Sequence, residues 1–510
     1  MASELDKKLE TKPFRDFAGV NLTDARTAIE DKEFFWLENA MPIGKGNIRL
    51  TPASSGALVS IPAGIFSMWG FTLRFYNMEN PVILTVNADG SATQVMPEQA
   101  GGSTTTICAA GTLTTAARMA IWADSIALIV DPTKGYFGWT GTTFVTINTS
   151  RVATDVAVFE GRAWLVTASR TITFTAPNSF TDFTASNGGG STTIADSAFT
   201  GEITRLLSAL EQLWIVGPAA VDAISNVQTA GTPLITTFSI TNVVSNVGTI
   251  FPSSVTSFFR TFLFFSHYGV YAIVGATPQK LSDKLDGIFP RIVFGNDIPA
   301  AVFSIYDVFI WAALVTIRDP FTNQNRAILF CFSQGKWFFA DTGIVPDAPD
   351  LDMTMTGLVN SAGDPELWVS DGEDIYKAFG NTDLDQAVDY RIMTKLWDFG
   401  DFTQMKEWVR LALEITSDNV VDVTYSLENE RQTLPAVTVS AANEIIFVGT
   451  ATITFIGSAA ITFVGAGLQI ITKRAGILGR YFGLTLLGST PPFQLSGLAL
   501  QIKQAGDWNR

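Results

Sequence analysis

Four segments of this chain share one pattern: a strand with a large aromatic residue, a polar or glycine-containing turn, and a second strand. They are residues 162–174 (RAWLVTASRTITF), 212–224 (QLWIVGPAAVDAI), 261–273 (TFLFFSHYGVYAI) and 366–379 (ELWVSDGEDIYKAF). Each segment predicts a short β-hairpin, and the aromatic residues of the first strands are Trp164, Trp214, Phe264 and Trp368. A single hairpin cannot bury its own apolar face, so the copies must pack on one another. The pattern predicts a propeller-like ring of small sheets, although the irregular spacing argues against a blade repeat of fixed length.

The length of 510 residues exceeds what a single hydrophobic core usually holds. Closely spaced strand and turn signals run from Leu58 to Lys395, and the composition changes after Lys395. We therefore predict an all-β chain with an N-terminal arm (1–45), an irregular β-propeller-like body (46–395) and a C-terminal antiparallel, sandwich-like β domain (396–510). Within the arm, residues 24–37 fit either one short helix or the approach to a strand.

An eight-residue repeat lies inside the predicted C-terminal domain. Its phenylalanines are Phe447, Phe455 and Phe463, and residues 445–472 contain no charged side chain. Because eight is even, the three phenylalanines point to the same face of an extended strand. The segment fits a tight meander or a long ribbon, whereas its glycines, threonines and period of two disfavour a membrane helix. We predict a ribbon that packs on its counterparts in neighbouring subunits, with Phe447, Phe455 and Phe463 as the self-association residues.

Composition gives the chain few charges and an acidic balance. Hydrophobic residues make up 47% of the sequence and charged residues 16%, which fits a folded chain whose surface faces other subunits or, alternatively, a large and well-buried monomer. The net charge of −15 disfavours sequence-specific DNA binding, but an acidic wall would let DNA slide past without sticking. The candidate channel-lining residues are Asp347, Asp350, Asp352, Asp364, Asp371, Glu373 and Asp374. The alternative is that each belongs to a solvated loop.

Motifs for catalysis and for cofactor binding are sparse. His267 is the sole histidine and is interpreted as a structural hairpin residue, while Cys108 and Cys331 lack the spacing of a zinc or redox site and are expected to be buried free thiols. The N-terminal sequence has no apolar segment of the kind found in secretory signal peptides. We predict no enzymatic activity, no cofactor and no metal.

A glycosidase that uses paired carboxylates remains an alternative. Asp371, Glu373 and Asp374 in SDGEDIYK are its best candidates. The Ser370–Gly372 fragment is similar to the Asp-box turns of sialidase-like propellers, but it occurs once and continues to Ile-Tyr instead of Thr-Trp. A hairpin turn with Asp-Gly chemistry explains the fragment without catalysis.

The order of several segments resembles a known family. They are the arm through Glu38–Pro42 with an arginine-bearing strand at Ile48–Leu50, then residues 164–183, 269–288 and 397–414. In this order they resemble the tail-nozzle (tail-hub) proteins of short-tailed bacteriophages, which are also called head-completion or packaged-DNA-stabilisation proteins. The resemblance covers most of residues 25–430, and the 445–472 repeat has no place in the family pattern.

The resemblance implies a homo-oligomeric ring of subunits, expected to be a hexamer, in the tail of a virion assembled in the host cytoplasm. Such a ring docks below the portal and adaptor proteins, continues the DNA channel, retains the packaged genome and receives the tail needle, fibres or spikes. Passing double-stranded DNA would be a partner without sequence-specific binding, and no stable membrane insertion is expected.

Two alternatives belong to other functional classes. A receptor- or carbohydrate-binding propeller, acting as a tail adhesin, would show a concave cluster of exposed aromatic and polar groups at one end. A glycosidase would place Asp371 or Glu373 beside a second carboxylate in a cleft.

Overall fold

The computed structural model describes residues 9–44, 46–275, 277–341, 353–380, 386–417, 421–441 and 467–506. This part of the chain is all-β, and its helices are three single 3-10 turns at Pro252–Ser254, Asp283–Leu285 and Phe289–Arg291. The chain forms two compact units: residues 1–53, 334–343 and 379–510 make the first, and residues 54–333 and 344–378 make the second. The predicted boundaries after residues 45 and 395 do not coincide with this division.

Four strands of the first unit precede the second unit in the chain. They are β1 (Glu10–Phe14), β2 (Phe34–Glu38), β3 (Ala40–Ile43) and β4 (Asn47–Leu50). Residues 34–37, the end of the segment that fits either a helix or the approach to a strand, therefore lie in β2. Because β1 pairs with residues 498–502 and β2 with residues 391–394, the predicted arm is an integral part of the first unit.

The second unit starts at β5 (Val59–Ser60) and continues as seven small sheets. Sheet 1 contains β6 (Ile65–Phe75), β7 (Met78–Asn87), β8 (Ala92–Met96) and β9 (Ser103–Cys108). Sheet 2 contains β10 (Arg118–Trp122), β11 (Ile126–Asp131), β12 (Gly135–Trp139) and β13 (Phe144–Asn148). Sheet 3 contains β14 (Val156–Phe159), β15 (Arg162–Ala168), β16 (Thr171–Phe174) and β17 (Gly190–Thr193).

The remaining sheets of the second unit follow in chain order. Sheet 4 contains β18 (Arg205–Ala209), β19 (Gln212–Val216), β20 (Ala220–Ala230) and β21 (Ile235–Ser245). Sheet 5 contains β22 (Thr256–Phe258), β23 (Thr261–Ser266), β24 (Gly269–Val274) and β25 (Thr277–Lys280). Sheet 6 contains β26 (Ala300–Ile305), β27 (Val308–Arg318) and β28 (Asn325–Ser333). After β29 (Lys336–Ala340) of the first unit, sheet 7 contains β30 (Thr354–Val359), β31 (Pro365–Ser370) and β32 (Asp374–Ala378), with β5 as its fourth strand.

The four hairpins predicted from the sequence are confirmed, and they occupy the same place in their sheets. Each one forms the second and third strands: β15–β16, β19–β20, β23–β24 and β31–β32. Their aromatic residues Trp164, Trp214, Phe264 and Trp368 are buried between neighbouring sheets. The recurring sequence pattern therefore corresponds to the central pair of strands in each of these sheets.

Consecutive sheets pack face to face through apolar side chains. Buried clusters join sheets 1 and 2, sheets 2 and 3, sheets 3 and 4, and sheets 4 and 5. Phe265 packs on Phe330 between sheets 5 and 6, and the Ser304 hydroxyl donates a hydrogen bond to the Pro365 carbonyl between sheets 6 and 7. Face-to-face burial of this kind holds each small sheet in place, since no sheet has a core of its own.

The ring of sheets is closed in two ways. A cluster that includes Ile65, Leu358 and Trp368 joins sheet 7 back to sheet 1. In addition β5, which precedes sheet 1 in the chain, pairs with β32 as the outer strand of sheet 7. The second unit is therefore a seven-sheet β-propeller whose last sheet contains a strand from the start of the unit.

The first unit is built from two sheets. The strands not yet named are β33 (Val388–Thr394), β34 (Met405–Ser417), β35 (Val421–Asn429), β36 (Val437–Ala441), β37 (Gly467–Gly479), β38 (Phe482–Thr490) and β39 (Gln494–Gly506). One sheet has the order β3-β4-β39-β34-β37 with β1 added to β39, and the other has the order β29-β2-β33-β38-β35-β36. Trp408 of the first sheet packs on Phe482 of the second. The predicted sandwich-like domain is therefore present, with N-terminal strands included in it.

Most of the eight-residue repeat lies outside the described residues. This holds for Phe447, Phe455 and Phe463, so their predicted role in self-association stays a prediction. The end of the segment, from Gly467, is described and forms the start of β37.

Candidate functional site

The two ends of the propeller carry different turns. At the end that we call end A, turns join the first and second strands of each sheet. At the opposite end, which we call end B, turns join the second and third strands, and the first strands begin there. This alternation follows from the antiparallel pairing of successive strands.

End A presents bulky side chains in tight turns. Tyr76–Asn77, Leu210–Glu211 and Tyr306–Asp307 form two-residue turns in which every residue has a positive φ, between 51° and 61°. Such type I′ turns favour Asn and Gly, and holding a bulky residue there costs on the order of 1 kcal/mol. Tyr76 is 76% exposed, and Phe259 in the corresponding turn of sheet 5 is 70% exposed. End A therefore combines backbone strain with exposed aromatic residues.

End B contains a cavity of about 400 Å³. Its walls come from the start of β6 (Phe66 and Ser67), from Arg118 at the start of β10, and from the connections that precede β22, β26 and β30. The lining includes Ser253, Phe294 and Asp297 from these connections and Thr354, the first residue of β30. Because these residues precede or begin the first strands of five different sheets, the cavity lies at the end of the propeller where those strands converge.

Hydrogen bonds connect polar groups from three sheets at the cavity. The Arg118 guanidinium donates to the Ser253 hydroxyl at 2.8 Å and to Asp297 Oδ2 at 3.1 Å. Asp297 Oδ1 in turn accepts hydrogen bonds from the backbone N–H groups of Ser253 and Ile298. The network neutralises both charges locally, so the cavity offers hydrogen-bonding groups without a net charge from this pair.

An aromatic wall accompanies the polar network. Phe294 packs against the rings of His267 and Phe251, with centroid distances of 4.4 and 5.8 Å. Phe66, which also lines the cavity, is 44% exposed. His267 lies in a hairpin turn of end B and contacts the rings of Phe294 and Phe251. A concave site with aromatic and neutral polar groups suits ligands that present both an apolar face and hydroxyl groups.

Asp131 is the buried anchor of the β11–β12 turn at end B. One carboxylate oxygen accepts hydrogen bonds from the backbone N–H groups of Thr133 and Lys134, both at 2.8 Å, and the other accepts from the N–H and hydroxyl of Thr114, at 2.6 and 2.8 Å. Burial by itself raises the pKa of Asp131, but these hydrogen bonds outweigh it and lower the pKa below its ordinary value.

We expect Asp131→Asn to destabilise the protein by about 2 kcal/mol at pH 7, because the new amide faces the Thr114 donors. Since the folded-state pKa is lowered, the stabilisation by the ionised carboxylate is complete above the unfolded-state pKa of about 4 and is lost as the pH falls through the folded-state value. Urea unfolding of both proteins should give a constant difference from pH 7 to about pH 5 and a smaller one below about pH 4. A difference that grows on acidification would contradict this account.

The acidic residues predicted to line a channel do not lie together. Asp371, Glu373 and Asp374 lie at end B, at the turn that joins β31 to β32, whereas Asp364 lies at end A, in the turn before β31. Strand β31 separates the two groups. Asp347, Asp350 and Asp352 lie outside the described residues. The predicted set therefore contains residues from both ends of sheet 7.

The end-B turn of sheet 7 is held by its own carboxylates. Asp371 accepts hydrogen bonds from the backbone N–H groups of Glu373 and Asp374, at 3.1 and 2.8 Å, and the Tyr376 hydroxyl donates to the carboxylates of Asp371 and Asp374. Burial and these two carboxylates raise the pKa of Tyr376 well above its ordinary value. The contacts show that the Asp-Gly chemistry stabilises the hairpin turn.

A second cavity, of about 430 Å³, lies in the first unit. Its lining includes Glu38, Asp341, Asp389 and Arg391. Asn39 bridges two of the neighbouring segments, since its amide donates to Asp341 Oδ1 at 2.5 Å and to the Asp389 carbonyl at 2.8 Å. No local sequence pattern indicates this grouping, because its members lie in three distant segments.

The remaining sequence expectations concern thiols and metals. Cys108 and Cys331 are free and buried, as predicted, and burial raises the pKa of Cys108 to about 11. Within the described ranges, no three His, Cys, Asp or Glu side chains are grouped so as to hold a metal ion. Among the same residues, no helix has the length and apolar character needed to cross a membrane.

Sequence reasoning missed the residues of the end-B cavity. Arg118, Ser253 and Asp297 come from segments that are more than 40 residues apart in the chain, and no local motif marks them. The signal that was available is their position just before or at the start of a strand, where residues of successive propeller sheets converge.

No protein-family model matches this chain, and no curated protein matches it. Several solved structures match parts of this chain at low identity. The N-terminal domain of Nup159 shares 7% identity over 67% of this chain and 98% of its own, with a TM-score of 0.34. The β-propeller domain of Cps50 (Swd1) from Myceliophteria thermophila shares 9% over 62% of this chain and 98% of its own, with a TM-score of 0.35. An arginine-to-alanine triple mutant of AofleA from Arthrobotrys oligospora shares 11% over 69% of this chain and 88% of its own, with a TM-score of 0.30. Similarity at this level supports no conclusion about function.

Proposed function

We propose that this chain is a structural virion protein that forms the tail-nozzle ring of a short-tailed bacteriophage. In this role identical subunits continue the DNA channel below the portal and adaptor, retain the packaged genome and receive the distal tail parts. The observation that carries the proposal is the order of the sequence segments that resemble the nozzle family, from the arm at Glu38–Pro42 to residues 397–414.

Composition and architecture support this proposal physically. A ring subunit needs two lateral faces for its neighbours, and a chain with 16% charged residues has a surface suited to such contacts. A conduit for DNA must not bind DNA tightly, and the net charge of −15 provides electrostatic repulsion. The propeller supplies a rigid scaffold, because its sheets are packed face to face and closed by β5.

The turns of sheet 7 reduce the set of acidic residues that could line a DNA channel at one level. Asp364 and the group Asp371, Glu373 and Asp374 lie at opposite ends of β31, so one level of a channel would use one group and not both. We propose that the end-B group faces the DNA. An assembled structure in which Asp371 and Glu373 lie on the outer surface would contradict this assignment.

Self-association is tested by the mass of the purified full chain in solution. We expect rings of identical subunits, and we expect Phe447, Phe455 and Phe463 replaced together by serine to reduce ring formation at least tenfold. The matched control replaces Thr452, Thr454 and Thr462, on the opposite face of the repeat, by serine and should still assemble. If deletion of residues 445–472 left assembly, DNA retention and ejection unchanged, the role of the repeat would be rejected.

A second candidate function is favoured by the cavity at end B. It provides the concave cluster of exposed aromatic and polar groups expected of a carbohydrate- or receptor-binding propeller, with Phe66 and Phe294 beside Arg118 and Asp297. Saturation-transfer NMR with oligosaccharides from the host surface tests it. Binding that is lost in Phe66→Ala but kept in Phe259→Ala, an exposed phenylalanine at end A, would support this function, and absence of binding in the wild type would exclude it.

A further inference from the structure

Charged residues are absent from the outer strands of four consecutive propeller sheets. These strands are β9, β13, β17 and β21 of sheets 1 to 4, and their exposed residues are Ser, Thr, Asn, Val and Ile. An outer strand has backbone N–H and C=O groups without a partner in its own sheet, so soluble proteins usually protect it with charge, proline or short length. Sheets 5 and 7 follow that rule, since β25 contains Pro278 and Lys280 and β5 has two residues.

Strand β21 is the longest of the four uncharged outer strands. It has 11 residues, and no strand pairs with its outer side in the described part of the chain. The sequence has no charged residue between Asp222 and Arg260. Ile235 is 62% exposed and Ile240 is 39% exposed, so aliphatic side chains accompany the exposed Thr and Ser residues. A long, uncharged outer strand of this kind is suited to pairing with a strand of another molecule.

The hairpin that contains β21 is fixed against sheet 3. Phe238 packs on Trp164 of sheet 3, with ring centroids 5.6 Å apart. The Arg162 guanidinium donates to the hydroxyls of Thr229 and Thr236, one on each strand of the hairpin. The outer side of β21 is therefore presented in a defined position, which lowers the entropic cost of binding a partner there.

Strand β9 provides a second uncharged edge elsewhere on the propeller. It is the outer strand of sheet 1, and residues 103–106 within it are all exposed. Sheets 1 and 4 are three steps apart in a closed ring of seven sheets, which is the largest separation that such a ring allows. The edges of β21 and β9 therefore lie close to opposite sides of the propeller, and β13 and β17 lie between them.

We propose that the edge of β21 in one copy of this chain pairs with the edge of β9 in the next copy, through main-chain hydrogen bonds between the two outer strands. Charge indicates a second copy as the partner. The chain has a net charge of −15, so two copies repel each other except where their surfaces carry no charge. A nucleic acid would require Lys or Arg, and a charged protein segment would require opposite charges, which these two strands lack.

A contact between two different faces of identical subunits is head-to-tail, and such contacts generate a ring when the rotation closes. The edges of β21 and β9 are then the two lateral faces of the ring subunit. This inference rests on the proposed function, because it names the strands that join neighbours in the proposed ring. It does not depend on the predicted role of residues 445–472.

Sedimentation velocity of the full chain measures assembly in lysine variants of each edge. Ser239→Lys in β21 and Thr105→Lys in β9 place a charge at an exposed position, so both variants should fold with the wild-type Tm. We expect each to raise the concentration at half-assembly at least tenfold. Thr146→Lys is the matched control, because Thr146 is exposed on the outer strand β13, outside the proposed contact, and this variant should assemble like the wild type.

A double-cysteine variant tests which strands meet. The two natural cysteines, Cys108 and Cys331, are buried, so cysteines introduced at Thr105 and Ser239 supply the accessible thiols. The full chain is treated with a short bismaleimide linker and separated by denaturing electrophoresis. We expect a ladder of covalent multimers from the variant with both Thr105→Cys and Ser239→Cys, and single chains from either single-cysteine variant.

Each outcome supports or overturns the contact. A wild-type chain that stays single at every concentration would overturn the proposed function and this contact together. Rings that persist in Ser239→Lys or in Thr105→Lys would overturn the contact and leave the proposed function standing. Covalent dimers from Ser239→Cys alone would show that β21 pairs with itself and would overturn the head-to-tail contact. Assembly lost in both edge variants but kept in Thr146→Lys, together with the ladder, would support it.

Discussion

Replacing Arg162 by methionine is expected to lower the free energy of unfolding by about 3 kcal/mol. Arg162 is 2% exposed, and its guanidinium has no carboxylate partner in the described part of the chain. It donates instead to neutral oxygens: the carbonyls of Thr175 and Gly188 and the hydroxyls of Thr229 and Thr236. The side chain therefore links sheet 3 to the long β20–β21 hairpin of sheet 4.

The expected loss in the free energy of unfolding follows from the hydrogen bonds that methionine cannot make. Hydrogen bonds to a charged donor contribute about 1.5–3 kcal/mol, and a buried carbonyl left without a donor costs about 1–3 kcal/mol. Methionine fills much of the volume, so the loss reports mainly on hydrogen bonding. Burial lowers the pKa of Arg162, but a guanidinium stays protonated in proteins, so the charge must be satisfied at every working pH.

Urea unfolding followed by tryptophan fluorescence measures the change for Arg162→Met. Arg74→Met is the matched control, since Arg74 is exposed and its partner Glu79 lies on the same hairpin. We expect no measurable change in the control. Equal stability of Arg162→Met and the wild type would mean that the guanidinium does not hold the two sheets together.

The second large effect is expected for Gly70→Ala at the closure of the propeller. A Cβ atom at residue 70 of β6 would lie 2.1 Å from the Gly357 carbonyl oxygen of β30, and the Gly70 N–H donates to the Thr356 hydroxyl at 2.8 Å. Backbone cannot yield to such a contact without separating sheets 1 and 7. We expect a loss of about 2–3 kcal/mol or failure to fold.

Gly56 provides a control that separates the steric effect of Gly70→Ala from the effect of replacing any glycine by alanine. The backbone of Gly56 lies outside the left-handed region, and a Cβ atom at residue 56 would have no heavy atom within 4 Å. Gly56→Ala should therefore be neutral or slightly stabilising. Thermal unfolding of both variants measures the difference in Tm. Gly70→Ala with an unchanged Tm would show that the first and last sheets are not in close contact.

The sequence predicted the fold correctly where local pattern and tertiary structure agree. Trp164, Trp214, Phe264 and Trp368 mark the central hairpins of four sheets, because a buried aromatic residue and a tight turn are both local signals. The other three sheets lack this signature, so their number could not be predicted. The role of β5 in closing the propeller could not be predicted either, because its pairing with β32 joins positions more than 300 residues apart.

The candidate sites were harder to predict from the sequence, because they are assembled from distant segments. Arg118, Ser253 and Asp297 of the end-B cavity are joined by hydrogen bonds, yet they lie in three distant segments of the chain. Asp371, Glu373 and Asp374 are conspicuous because they lie close together in the sequence, and the carboxylates of Asp371 and Asp374 accept hydrogen bonds within the hairpin. Local density of carboxylates identified a turn, whereas the polar groups of the end-B cavity come together only in the folded chain.

Negative-stain imaging of the full chain shows whether identical subunits form the proposed ring. The full chain is imaged alone and after mixing with the portal–adaptor complex encoded by the same genome. We expect closed rings of identical subunits, with sixfold symmetry, that cap the adaptor end of that complex. Single subunits that neither form rings nor bind the adaptor, under conditions in which the chain is folded, would contradict it.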